Sequence, residues 1–287
     1  MQFANSVITG AILATALAAN SHAAAVLKAQ YLFGNNFNSN VAGAPALVAT
    51  DPLSTSSFVT DTVFGNSRTV FQFNGAASPP PNQGGLTFNA SGALITHNSY
   101  SVDLVFEFLG GTNAWRRIID VQNRQSDNGF YVDPSNNLNV FPLSSGGNAF
   151  STGVYHNVAL TVNGTTVTGF LDNVASFTVT TGLMDISNPD NPGALIHLFL
   201  DNVIAGGQNE WSPGRIALAN FYDGVLSAGQ LAALIQNPFS SVVPPTCGIP
   251  GTPPCATSVP EPESLPLFLA ALVLMGMARR RGKKALA

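Results

Sequence analysis

Short runs in which apolar and polar residues alternate recur along the middle of the chain. In residues 101–108 every second side chain is apolar, while Asp103 and Glu107 fall on the opposite face. A period of two is that of a β-strand, and we expect this strand to bury one face only. Eight further runs show strand patterns: 69–73, 117–121, 129–133, 137–142, 156–162, 166–172, 195–201 and 215–222.

Turns and one helix complete the pattern. Asn163-Gly164 separates two of the runs and predicts a type I′ hairpin. Helical spacing of apolar residues occurs at 228–235, preceded by Ser227 as N-cap, with Gln230 completing a capping box. Many strands, regular turns and one short late helix predict an all-β antiparallel sandwich.

Composition first suggests a membrane protein, because mean hydropathy is +0.22 and only 9% of residues are charged. The apolar residues form long runs only at the two ends, however. Without residues 1–25 and 260–287, 13 acidic and six basic residues remain, a formal charge of −7. So few basic residues cannot neutralise a run of phosphates, which excludes nucleic acid as an expected partner.

The N-terminus has the pattern of a secretory signal peptide. An apolar run at 7–19 leads into Ser21-His22-Ala23, with small residues at the −3 and −1 positions of a cleavage site. We expect a signal peptide over residues 1–25, cleaved after Ala23 or Ala25. No Lys or Arg occurs in residues 1–6, and a buried N-terminal helix is the alternative.

The C-terminus has three parts in a fixed order. Pro260-Glu261-Pro262 keeps the backbone extended and open to a processing enzyme. The apolar run 265–278 spans about 21 Å as a helix, which crosses a hydrocarbon core of about 30 Å only with help from its flanks or local thinning. The basic cluster 279–284 favours a cytoplasmic C-terminus.

This order, over residues 259–284, resembles the PEP-CTERM sorting signal of Gram-negative bacteria. The resemblance implies a precursor held transiently in the inner membrane by one C-terminal helix. It also implies processing by an exosortase-type membrane enzyme, followed by release or attachment of the body at the cell surface. An ordinary tail anchor is the alternative.

A Pro-rich linker is expected at residues 237–258, between the body and this signal. It contains the only two cysteines, Cys247 and Cys255. Because the chain carries an export signal, we expect these two residues to form a local disulfide outside the body.

Three segments of the body resemble successive strands of laminin G-like, concanavalin A-like domains. They are Tyr-His-Asn-Val-Ala-Leu at 155–160, Gly-Phe-Leu-Asp-Asn at 169–173, and the strand with its following turn at 214–227. The resemblance implies a two-sheet antiparallel jelly roll over residues 26–236, with one short C-terminal helix. A signal peptide and a single C-terminal membrane helix would flank it.

Catalytic patterns are absent from the sequence. Concanavalin A-like glucanases carry E-x-D-x-x-E or a close variant, and the nearest approach is Asp103 with Glu107, whose backbones are about 13 Å apart in a strand. Glycosidases need carboxyl groups about 5–5.5 or 6.5–9.5 Å apart. There is no G-x-S-x-G elbow, and His97, His156 and His197 lie in or beside strands. We therefore predict no catalytic residues and no enzyme activity.

Oxygen-bearing side chains in loops and at strand ends suggest a Ca²⁺ site. The leading ligands are Asp201, Asn202 and Glu210, followed by Asp120 and Asp127. The laminin G-like resemblance supports this, since such domains often hold one Ca²⁺ at a rim. The alternative is that these residues form turns and cap backbone amides.

Aromatic residues near the same loops are suited to stacking on sugar rings if they are exposed. They are Trp115, Tyr131 and Trp211, and the alternative is that they belong to the core. We predict an exported, non-enzymatic jelly roll at the cell surface or outside the cell that binds carbohydrate or a matrix polymer, with Ca²⁺ as an optional cofactor. The alternatives are an extracellular polysaccharide hydrolase and a structural or adhesion protein without a small ligand.

Overall fold

Fifteen strands and one α-helix form the part of the chain that the structure, a computed structural model, describes: residues 25–92, 94–204 and 206–239. The strands are β1 Val26–Tyr31, β2 Val48–Thr50, β3 Ser57–Val63, β4 Asn66–Phe73, β5 Gly85–Asn89, β6 Ser99–Phe108, β7 Arg116–Asp120, β8 Gly129–Val132, β9 Asn137–Phe141, β10 Ser144–Ala149, β11 His156–Asn163, β12 Thr166–Leu171, β13 Val174–Thr180, β14 Leu195–Leu198 and β15 Gly214–Asp223. Helix α1 is Ala228–Gln236, and a 3-10 turn covers Pro80–Asn82.

The strands form two antiparallel sheets. The eight-stranded sheet has the order β13-β12-β11-β6-β15-β4-β3, with β1 also paired to β15. The seven-stranded sheet has the order β10-β9-β8-β7-β14-β5-β2. Each of the nine predicted strand patterns corresponds to one of these strands. The prediction of an all-β, two-sheet antiparallel jelly roll with one short helix is confirmed.

Phenylalanine side chains fill much of the space between the sheets. Phe88 of the seven-stranded sheet stacks on Phe221 of the eight-stranded sheet with ring centroids 3.9 Å apart. Phe73 and Phe199 stack in the same way at 4.2 Å. Such pairs stabilise a core by about 0.5–1.5 kcal/mol beyond the area they bury, so they hold the two sheets in a fixed relation.

Strand β6 is buried on both faces, which corrects the expectation that only one face is covered. Asp103 is fully buried and Glu107 nearly so. The outer face of the sheet is covered in part by α1, whose Leu231 and Leu234 pack with Tyr222, and in part by a second apolar cluster. A period of two identifies the apolar face of a strand but does not reveal what covers the other face.

The local signals for the helix and the hairpin are only partly confirmed. Ser227 caps α1, and Gln230 completes the predicted capping box. The hairpin between β11 and β12 is present, but Asn163 pairs with Thr166, so Gly164 and Thr165 form the turn. Because φ is positive at Gly164 and not at Thr165, the turn does not have the two positive φ values of the predicted type I′.

Six strands lie outside the nine predicted runs: β1, β2, β3, β5, β10 and β13. Strand β1 does alternate, with apolar Leu27, Ala29 and Tyr31 at every second position, so its pattern was available in the sequence. Strand β10 has the sequence Ser-Ser-Gly-Gly-Asn-Ala and offers no apolar face to detect. Strand β2 is three residues long. Their pairing partners, not their own composition, hold such segments in a sheet.

The predicted signal peptide, most of the linker, the cysteine pair and the sorting signal with its membrane helix lie outside the described residues. All described residues belong to one compact unit. Within the described part of the chain, no helix is long and apolar enough to cross a membrane.

Candidate functional site

Five predicted metal ligands lie around one buried arginine, and we call this group the Arg117 cluster. It consists of Arg117, Asp120, Asp127, Asp201, Asn202 and Glu210. The Arg117 guanidinium donates to Asp120 Oδ2 at 2.6 Å and to Asn202 Oδ1 at 3.0 Å. It also donates to the backbone carbonyl oxygens of Ser126 and Asn128, so it joins the loop after β7 to the loop after β14.

A second arginine supports the same cluster from the side. Arg124 Nε donates to the carbonyl oxygen of Asp201 at 2.6 Å, and its backbone N–H donates to Asp120 Oδ1 at 2.9 Å. Burial raises the pKa of both Asp120 and Asp201, while Arg117 acts in the opposite direction. Two arginine side chains therefore compensate the negative charges of these buried carboxylates.

Glu210 is the least compensated acid of the cluster. Burial, followed by the neighbouring charges of Asp127 and Asp201, raises the pKa of Glu210 to about 8. Two arginines face four carboxyl groups here, so ionisation of Glu210 adds a charge that the cluster does not balance. The group is therefore expected to hold a proton at neutral pH.

The arrangement only partly suits a metal ion. Asp127 Oδ1 and Asp201 Oδ1 are buried and accept no hydrogen bond, but they lie 3.7 Å from Arg117 Nη2 and 3.0 Å from Arg117 Nε, so each is already paired with a cation. Asp120 and Asn202 are already engaged by Arg117. Among the described residues, no three His, Cys, Asp or Glu side chains are grouped so that they could hold a metal.

The expected exposure of the aromatic residues is wrong for two of the three. Tyr131 is fully buried. The Arg117 guanidinium carbon lies 4.6 Å from the centre of the Tyr131 ring, and the Tyr131 hydroxyl donates to the Asp127 carbonyl oxygen. Trp211 is packed in the core and donates from Nε1 to the carbonyl oxygen of Gly84. Trp115 is partly exposed and contacts the Tyr131 ring edge-on.

A second polar group lies on the outer face of the eight-stranded sheet, and we call it the Arg215 cavity. Its volume is about 410 Å³, and its walls include Asp61, Phe64, Glu107, Tyr155 and Arg215. The same Arg215 nitrogen, Nη1, donates to Asp61 Oδ2 at 2.8 Å and to Glu107 Oε1 at 3.3 Å. Three strands, β3, β6 and β15, thus each contribute one charged side chain.

The two carboxyl groups of the Arg215 cavity differ in acidity. Burial raises the pKa of Glu107, with Asp61 adding to the effect and Arg215 opposing it. Burial alone would raise the pKa of Asp61 as well. Hydrogen bonds from the Thr62 N–H and the Tyr155 hydroxyl, together with the charge of Arg215, lower the pKa of Asp61 overall. The environment therefore separates the pKa values of two neighbouring acids.

Free hydrogen-bonding capacity remains in this cavity. Arg215 Nε is used by Gln72, and Nη1 by the two carboxylates. Within the described residues Arg215 Nη2 donates to no protein atom, whereas the nearly buried Glu107 carboxyl group also interacts with the Asp61 side chain. Donors of Arg215 and acceptor oxygens of Asp61 and Glu107 therefore line one cavity that is open to solvent.

Sequence reasoning identified Glu107 but missed Asp61, Tyr155 and Arg215 as its neighbours. Arg215 and Asp61 are 154 positions apart in the chain, and they meet because β4 lies between β3 and β15 in the sheet. The strand order that joins them is not visible as a sequence motif. The other acid considered, Asp103, is fully buried and accepts hydrogen bonds from Asn157 and Asn220.

Comparison with known proteins bears on both parts of the chain. A family model described as the PEP-CTERM protein-sorting motif matches residues 258–282. No curated protein matches the chain.

Among solved structures, domain 4 of AbnA, a GH43 extracellular arabinanase from Geobacillus stearothermophilus in complex with arabinotriose, is similar. The TM-score is 0.55 at 18% identity, over 74% of this chain and 100% of that one. The binding domain of Paraclostridial Mosquitocidal Protein 1 has a TM-score of 0.50 at 11% identity, over 73% of this chain and 52% of that one.

At these identities the structural matches show the fold. The motif match implies export, association with the cell surface of a Gram-negative bacterium and processing by an exosortase-type system. The protein is therefore an exported jelly-roll protein with a C-terminal PEP-CTERM sorting motif.

Proposed function

We propose that the protein is a non-enzymatic binder of extracellular carbohydrate or matrix polymer, and that the Arg215 cavity is its binding site. The observation that carries this proposal is the pairing of Arg215 donors with Asp61 and Glu107 acceptors in an open cavity. Neighbouring hydroxyl groups of a sugar both donate and accept, so they match this pair. The exposed ring of Phe64 supplies the apolar surface on which sugar faces pack.

Export of the protein is consistent with the binding of an extracellular polymer. The sorting motif implies export to the cell surface, where the body meets extracellular polymers. In the proposed route, a helix over residues 265–278 holds the precursor in the inner membrane until cleavage at Pro260-Glu261-Pro262. Changing Pro260 and Pro262 to Ala in a host that carries the exosortase should block processing, and unchanged processing would contradict the route.

Binding tests the main proposal directly. The purified protein is titrated with neutral matrix polysaccharides, and the dissociation constant is compared with that of Arg215→Met and Glu107→Gln. We expect each variant to bind at least about tenfold more weakly. Asp190→Asn changes an exposed carboxylate elsewhere and should leave binding unchanged. Absence of binding to any polysaccharide tested would favour the structural or adhesion role.

Calcium is proposed as an optional cofactor of the Arg117 cluster. Asp127 and Asp201 each have an oxygen that accepts no hydrogen bond but faces Arg117, so Ca²⁺ would have to displace the guanidinium, and Glu210 would have to release its proton to join them. Calorimetry in buffers of different ionisation enthalpy should then detect proton release on Ca²⁺ binding, and the affinity should rise with pH up to about 8. Glu210→Gln should remove the pH dependence of Ca²⁺ affinity. If Glu210→Gln binds Ca²⁺ as tightly as the unchanged protein does, the proposal is contradicted.

A second candidate function, polysaccharide hydrolysis, is favoured by the separated acidities of Asp61 and Glu107. Pairs of carboxyl groups whose pKa values differ are a feature of glycosidase sites. Release of reducing ends by the purified protein, abolished by Glu107→Gln, would establish this activity. Binding without any release would support the non-enzymatic role.

A further inference from the structure

We infer that the outer face of the eight-stranded sheet carries an elongated groove for a neutral saccharide chain several units long, with Phe64 as a platform between two subsites. This inference rests on the proposed saccharide binding and adds the length and charge of the ligand. It is carried by a second cavity beside the first, by unbonded polar groups in it, and by the conformation of Phe64.

The second cavity shares Phe64 with the Arg215 cavity and has the same volume, about 410 Å³. Its walls also include Arg68, Asn157, Asn173 and Phe239. Two cavities that meet at one side chain form a longer site than either alone. A single ligand cavity is commonly about 300–1,000 Å³, so each can hold one or two sugar rings and together they suit a chain.

Unbonded acceptors line the second cavity. Asn157 is 3% exposed, and its Oδ1 accepts no hydrogen bond, whereas its Nδ2 donates to Asp103. Asn173 Oδ1 is likewise buried and unbonded. A buried acceptor without a donor costs about 1–3 kcal/mol, and a sugar hydroxyl supplies the missing donor once the side chain turns toward the cavity.

Phe64 has an unusual backbone conformation for its residue type. It lies in the turn between β3 and β4 with φ of 48°, followed by Gly65 with φ of 80°. Phenylalanine in the left-handed region is strained by roughly 1–2 kcal/mol, and Asn before Gly is the favoured choice for such a turn. Yet the ring is 46% exposed, so packing does not explain its presence. Strain at an exposed aromatic residue between two cavities indicates a role in binding.

The charges of the groove favour an uncharged ligand. Asp61, Glu107 and Asp172 face Arg215 and Arg68, and the Arg68 guanidinium lies 3.4 Å from the centre of the Phe239 ring. Asp172 is also bonded to His156 Nδ1 at 2.8 Å, so the groove carries no excess of cations to attract a chain of uronic acids. Neutral sugars need no such attraction.

The experiment measures dissociation constants of the full-length protein, purified in detergent, for neutral oligosaccharides of increasing length from arabinan, xylan and β-glucan, with polygalacturonate as the anionic probe. We expect affinity to rise by about tenfold or more between the disaccharide and a chain of about five units, for at least one series. Phe64→Asn should reduce the affinity for the long chain by at least about tenfold. The same change should raise the melting temperature, because it relieves the turn.

A matched control is Leu53→Ala, which removes an apolar side chain of similar exposure outside both cavities. It should leave affinity unchanged. Affinity that does not depend on length, or that survives Phe64→Asn while Arg215→Met abolishes it, would overturn the groove and leave the proposed function intact. Tighter binding of polygalacturonate than of the neutral oligosaccharides would overturn the inference that the ligand is neutral. No binding of any probe would overturn the proposed function and the inference with it.

Discussion

Arg117 Nε lies 3.0 Å from Asp201 Oδ1, although both side chains are fully buried. The two atoms are close but not aligned as a hydrogen bond, so Asp201 Oδ1 has no donor. The contact is therefore a charge pair in a dry environment. Such a pair is held in place by the rest of the structure, and loss of one partner leaves the other charge uncompensated.

Replacing Arg117 should therefore destabilise the protein strongly. Arg117→Met removes the cation paired with Asp120 and Asp201 and leaves only Arg124 near them, and we expect the free energy of unfolding to fall by about 3–5 kcal/mol. Urea denaturation measures the change. The control is Lys28→Met, which removes a half-buried surface cation 4.0 Å from Asp223 and should cost no more than about 1 kcal/mol. Equal small losses in both variants would show that the cluster does not stabilise the fold.

Asp103 should make stability fall as pH rises. Burial raises the pKa of Asp103 from 3.8 to about 6, partly offset by hydrogen bonds from Asn157 and Asn220. Between these values the folded protein holds a proton that the unfolded chain has released. Its contribution therefore declines between about pH 4 and 6, by an amount on the order of 3 kcal/mol, and is constant above.

Denaturation midpoints of Asp103→Asn and the unchanged protein at several pH values measure this effect. The variant should gain stability relative to the unchanged protein as pH rises through this window. A difference between the two that is the same at every pH would contradict the assignment.

His197 should act in the opposite direction. Burial, with smaller effects of Arg124 and Arg117, lowers the pKa of His197 from 6.5 to about 4. Between these values the unfolded chain binds a proton that the folded protein does not, so the His197 contribution is lost as pH falls from about 6.5 to 4. The loss is roughly 3 kcal/mol. Nδ1 is bonded to Thr87 Oγ1, and Nε2 is buried without a partner, so a proton there has no acceptor.

The variant His197→Gln tests this behaviour by the same measurement. It should flatten the decline in stability at low pH, whereas Asp103→Asn should make it steeper. If both variants change the profile in the same direction, one of the two assignments is wrong.

Gly169 should tolerate no side chain. It pairs with Phe177 across β12 and β13, and a Cβ at position 169 would overlap the Phe177 ring. Gly169→Ala should therefore lower the free energy of unfolding by about 1–3 kcal/mol. Gly147→Ala is the control, since a Cβ there meets no atom within 4 Å. A thermal unfolding scan that places both variants at the same midpoint would show that Phe177 moves aside without cost.

The elements of this protein were largely readable from local sequence. Alternation of apolar residues located nine strands, and Ser227 with Gln230 located the helix. These signals are local because strand period and capping chemistry depend on neighbouring residues only. Strands such as β10 could not be found in this way, since their place in the sheet depends on partners distant in the chain.

The candidate sites likewise combine features that local sequence predicts with features that depend on distant parts of the chain. The sorting motif, the two-sheet fold class and the set of acids in the Arg117 cluster follow from local sequence. The central place of Arg117 among those acids, the burial of Tyr131 and Trp211, and the shared cavity of Asp61, Glu107 and Arg215 depend on tertiary contacts. Strand order and the elements covering each face fix these relations, and both arise from packing between segments more than a hundred residues apart.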